Sequence, residues 1–108
     1  MKVLKVDGKD YIVHYSINSL VAMEETTGKP FTALFDNEAG IGIQTLRTII
    51  YYGLTSKQRD LKLGDAGDIM DALIAEGKTI VEISEMFLNE LTAALGMKTV
   101  VKEEESPN

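Results

Sequence analysis

The chain contains no cysteine and a single histidine, His14. Without thiols there is no disulfide framework and no thiolate zinc site, and one imidazole cannot build a multi-histidine site. Long apolar runs are missing as well: none approaches the roughly 18–20 residues that a membrane span needs. The opening residues, Met1-Lys2-Val3-Leu4-Lys5-Val6-Asp7-Gly8, bring in a charge or turn former too early for a signal-peptide core. These absences predict a cytoplasmic, unprocessed chain. Basic residues are the last shortage, with 11 Lys and Arg against 17 Asp and Glu and a net charge of −6. Phosphate backbones and anionic bilayers repel such a balance, so neither nucleic acid nor membrane is an expected partner.

What is present suits one folded domain. A length of 108 residues, 44% of them hydrophobic, is enough to bury a single core. The reading is an α+β fold: an N-terminal β-hairpin packed on a small bundle of four to five helices. The boundaries drawn are a single domain over residues 1–96, with the hairpin at 2–15, the helices at 16–96, and an acidic tail at 97–108 expected to be mobile.

The hairpin is read from two β-branched and aromatic runs, Val3-Leu4-Lys5-Val6 and Tyr11-Ile12-Val13-His14-Tyr15, flanking Asp7-Gly8. Asp-Gly is the dipeptide that type I′ turns select, because they need positive φ at both central positions. Ser16 or Asn18 caps a first helix that runs to about Thr27 and stops at Gly28. Its apolar residues are Ile17, Leu20, Val21 and Met23. Pro30 starts a short helix, Phe31-Thr32-Ala33-Leu34-Phe35, and residues 36–42 read as a loop rich in turn formers. Leu46, Ile49, Ile50 and Leu54 space a helix from Ile43 to about Tyr52, with Gly53 near its end and Thr55-Ser56 as a further capping signal. A third helix spans about Asp65 to Glu76 and ends at Gly77. The last runs from Ile80 to about Leu95, with Thr79 and Glu82 as a capping box.

Catalytic signatures fail their context tests. Gly77-Lys78-Thr79 resembles the end of a phosphate loop, but Ala72 stands where the earlier glycine belongs and a helix precedes it. Gly40-Ile41-Gly42 lacks the third glycine of a dinucleotide fingerprint, because position 45 is Thr45. Asp65, Asp68 and Asp71 do not follow the order of a calcium loop and suit the positive end of a helix instead. His14 reads as a half-exposed strand residue with no nucleophile to serve. The chain is therefore expected to be a non-enzyme with no catalytic residues, cofactor or metal.

The remaining signal is apolar. Tyr51 and Tyr52 are adjacent on a helix and point about 100° apart, so they cannot both face one core. Met86-Phe87-Leu88 poses the same problem. Phe35, Tyr51, Tyr52, Met86, Phe87 and Leu88 are accordingly the candidate partner-binding residues, since tyrosine, methionine and phenylalanine are common interface anchors.

Beyond these patterns the chain resembles the tail assembly chaperones of long-tailed bacteriophages and related prophages. The resemblance lies in the opening hairpin, in "YSINSLVAMEETTGKPF" at residues 15–31, in "LRTIIYYGL" at 46–54 and in "GDIMDALIAEG" at 67–77. It covers residues 1–96. It implies a hairpin-plus-bundle domain made in the cytoplasm of the infected host and absent from the mature virion. It also implies binding to the tape measure protein and the tail tube protein during tail morphogenesis, and it is compatible with a homo-oligomer. Many members of that family are also made in a longer, frameshifted form. The alternative is a minor structural protein, of head or tail, in a phage or prophage particle. A small helix-turn-helix regulator is a third reading, disfavoured by acidity and the scarcity of arginine.

Overall fold

The computed structural model describes residues 2–35 and 41–96, the side chains of residues 34 and 35 excepted. The acidic tail and most of the expected 36–42 loop lie outside the described residues. The order of elements is β1 (Lys2–Val6), β2 (Lys9–Val13), α1 (Ile17–Thr27), a 3-10 segment (Phe31–Phe35), α2 (Ile43–Thr55), α3 (Leu63–Ala75) and α4 (Ile80–Ala94). This is the α+β arrangement of a hairpin followed by helices.

β1 and β2 pair antiparallel with Val3 opposite Ile12 and Leu4 opposite Tyr11. The turn between them has φ of 52° at Asp7 and 77° at Gly8, the left-handed pair that Asp-Gly supplies. Alternation then sorts the strands: Leu4, Val6 and Val13 are buried, while Val3 and Lys5 face outward. β2 ends at Val13, so His14 and Tyr15 lie past the strand and not within it.

A two-stranded hairpin is marginal alone and needs a helix to hold it. Here α2 holds it. The His14 N–H donates to the Gly53 carbonyl at 2.8 Å, and the Ser56 hydroxyl donates to the His14 carbonyl at 2.8 Å. The Gln58 side chain accepts from the Ile12 N–H at 2.7 Å and donates to the Ile12 carbonyl at 3.0 Å. One amide thus satisfies both backbone groups of a strand residue, as a third strand would.

α2 is the hub, packing against α1, α3, α4 and β2. Leu46, Ile49, Ile50 and Leu54 are all 1% exposed or less, which is why two β-branched residues in a row are tolerated. The helix runs on to Thr55, three residues beyond the expected end, and Gly53 is inside it. Ser56 sits just past the helix and binds the backbone leaving β2; it does not cap a new helix. Gly53 is required there for a tertiary reason: a Cβ at this position would lie 2.6 Å from Cζ of Tyr15.

The other boundaries match their caps. Ser16 accepts from the Ser19 N–H at 3.0 Å, and Gly28 ends α1 with φ of 73°. The Asp65 carboxylate accepts from the Lys62 N–H at 2.8 Å, starting α3 at Leu63. Thr79 and Glu82 form the reciprocal pair at the start of α4, with bonds of 2.8 and 3.1 Å. No described helix is long and apolar enough to cross a membrane.

Candidate partner-binding surface

α4 buries Ile83, Phe87, Leu88, Leu91 and Thr92. Their spacing by three and four residues makes one continuous inward face. Phe87 is 0% exposed, among the largest fully buried side chains, and Leu88 is buried beside it. The sequence places both at a partner surface, and both belong to the core instead. The inward face of α4 is wide enough to take two successive residues because α2 and α3 both pack against it.

Met86 is half-buried and lines a shallow groove of about 450 Å³ shared with Lys2, Lys78 and Glu82. Tyr51 and Tyr52 are also half-buried against the core, their rings edge-to-face with centroids 4.9 Å apart. The Tyr52 hydroxyl bonds the Thr26 hydroxyl of α1 at 2.6 Å, so this tyrosine ties two helices together. The Phe35 side chain lies outside the described residues. The five candidates with described side chains, Tyr51, Tyr52, Met86, Phe87 and Leu88, do not converge on one patch.

The outward apolar residues are elsewhere. Ile17 and Val21 are 64% and 46% exposed on α1, one turn apart, while Leu20 and Met23 on the same helix are buried. At 100° per residue the four side chains span about 160° of the helix circumference, more than one packed neighbour covers. That width is readable in the sequence; which edge of it is left uncovered is not. Val3, Ile43, Ile74 and Val81 add further exposed positions on the hairpin, α2, α3 and α4.

Two further cavities lie among the described residues. One, about 420 Å³, lies between the C-terminal half of α1, the 3-10 segment and the first turns of α2 and α3. Its wall includes Met23, Phe31, Ile41 and Leu63, with Arg47 the one arginine on it. The other, about 740 Å³, runs between the hairpin and α3 and is lined by Lys9, Lys57 and Arg59 along with Asp60, Asp65 and Asp68. Its charges are mixed.

No protein-family model, curated protein or solved structure matches this chain. The surface must speak through its chemistry. Among the described residues no three or more His, Asp or Glu side chains cluster as a metal site would require. His14 engages α2 through its backbone, and Asp65 serves as a helix cap. Tyr15 has a phenol raised well above its usual range, first by burial and then by the negative charge of Glu90. Its hydroxyl donates to the Ile49 carbonyl at 2.6 Å, a structural bond inside the core.

Proposed function

We propose that this protein is a tail assembly chaperone of a long-tailed phage or prophage, which binds the tape measure protein and the tail tube protein in the host cytoplasm and leaves the finished virion. It acts by binding alone, without catalysis. The reading is supported by the resemblance of residues 15–31, 46–54 and 67–77 to that family, segments that form α1, the central helix α2 and α3.

The observation that carries it is the exposed pair Ile17 and Val21. Spaced i, i+4 on a short helix, they form an apolar strip against which a helical client can lay its own stripe. The net charge of −6 keeps such a complex soluble while the strip is occupied. Co-expression with the tape measure protein, followed by affinity capture and size exclusion, tests the reading. The expected result is a stable complex that is lost in the Ile17→Asp, Val21→Asp variant, whose fold should be intact because both positions are exposed. Failure of the unaltered protein to retain the tape measure protein refutes the proposal. Detection of the chain in purified virions by mass spectrometry would replace it with the minor structural role.

A further inference from the structure

Arg47 sits one turn into α2 on the wall of the 420 Å³ cavity. Its aliphatic stem passes over α3 at Gly67, where an added Cβ would lie 3.4 Å from Cδ of the arginine. The Nε atom is buried and has no hydrogen-bond partner. Among the described residues the guanidinium also forms no ion pair. A buried guanidinium nitrogen is costly to leave unmatched, so an orphaned one on a side chain that lines a cavity marks a place where an acceptor belongs.

The surroundings define which acceptor. Glu24 is the one carboxylate on the described wall, and it is already committed, accepting from the Phe31 N–H at 2.7 Å. Lys29 adds a second positive charge to the rim. The nearby start of α2 is capped by Gly42, with no side-chain cap and no acidic residue in its first turn. In a chain of net charge −6, the described part of this corner is locally positive, with Lys29 and Arg47 against Glu24. Apolar side chains, Met23, Phe31, Ile41 and Leu63, share the rest of the wall with Thr26, Thr27, Gln44, Thr45 and Thr48. A planar guanidinium fork matches a planar carboxylate, and the apolar patch of Met23, Phe31, Ile41 and Leu63 suits a hydrocarbon group attached to it.

We infer that this cavity is a docking site for a carboxylate carried next to an apolar side chain on a partner polypeptide, with Arg47 as its anchor. The polypeptide nature of the occupant rests on the protein-binding reading above; the carboxylate site itself does not. Charge complementarity selects the acid, and the cavity volume accommodates the side chain beside it.

Titration of the full chain with N-acetyl-leucine, followed by proton–nitrogen NMR of the Arg47 Nε–H and the backbone amides of Phe31 and Thr45, tests the inference. Saturable shifts are expected with a Kd on the order of a millimolar, as suits a fragment of this size. N-acetyl-leucine amide, which has the side chain without the charge, should bind at least about tenfold more weakly, and so should inorganic phosphate. Arg47→Gln should abolish the shifts. If that variant does not fold, Arg47→Lys, which keeps the charge and loses the fork, should weaken binding by about tenfold.

Equal binding of acid and amide would overturn the inference, as would an unshifted Arg47 Nε–H at saturation. Binding that appears only in the Asp36→Asn, Glu38→Gln variant would also overturn it, because the chain's own carboxylates would then be the occupants. Loss of tape measure capture with the N-acetyl-leucine response retained would overturn the chaperone reading and leave this site standing. The converse result would remove the site alone.

Discussion

Substituting Gly53 by alanine sets two effects against each other. In an isolated helix the change is favourable by up to about 1 kcal/mol, because glycine is among the poorest helix formers. In this protein the new Cβ would lie 2.6 Å from both Cζ and the hydroxyl oxygen of Tyr15. Carbon atoms pack at about 3.5–4.0 Å, so the ring must retreat by about 1 Å. Tyr15 is 3% exposed and has no solvent side to move toward. Its hydroxyl donates to the Ile49 carbonyl at 2.6 Å, and a retreat of that size takes the bond beyond useful range. Overpacking costs about 1–3 kcal/mol and an unmatched buried hydroxyl about 1–3 more. The net is a loss of about 1–5 kcal/mol. At about 4–8 °C per kcal/mol for a domain near this size, the melting temperature should fall by at least about 4 °C. Circular dichroism melts and urea titrations of the two proteins measure it directly. A double-mutant cycle with Tyr15→Phe should show coupling, since the two sites share the contact. A Gly53→Ala protein as stable as the parent, or more so, refutes the steric argument and leaves helix propensity as the governing effect.

Other consequences can be checked in the same preparations. Gln58→Ala strips both backbone groups of Ile12 of their partner and should cost about 1–3 kcal/mol in urea unfolding, with the hairpin amides showing the largest rise in hydrogen exchange. Phe87→Ala should cost about 3–5 kcal/mol, whereas Met86→Ala on the half-buried side should cost less than about 1.5 kcal/mol; equal losses would contradict the assignment of α4's inward face. Because burial raises the Tyr15 phenol above its usual value near 10.0, its contribution to stability is complete below that pH and is lost as pH rises toward the native value. Urea midpoints between about pH 8 and 11 should therefore fall more steeply for the parent than for Tyr15→Phe, and parallel curves would refute this.

Local signals carried most of the elements. Asp7-Gly8 dictates the hairpin turn by backbone sterics alone, and Ser16, Gly28, Thr79 and Glu82 mark helix ends because a cap needs only its own few residues. Gly53 misled for the opposite reason. Its local meaning is a helix stop, and its actual role is to admit a ring from a residue 38 positions away, which no local pattern encodes. Ser56 and Gln58 likewise look like loop polarity until β2 is placed beside them.

The candidate partner surface divides in the same way. Amphipathic periodicity established by itself that the helices carry more apolar residues than narrow seams would use. It could not say which edge of each stripe a neighbour covers, because that depends on where the other helices lie. Two helices against α4 drew Phe87 and Leu88 inside, while the outer edge of α1 left Ile17 and Val21 in solvent. The unmatched Arg47 belongs wholly to the tertiary level: one charge among 28 in the sequence becomes singular only when folding buries its Nε beside a cavity that holds no free acid among the described residues.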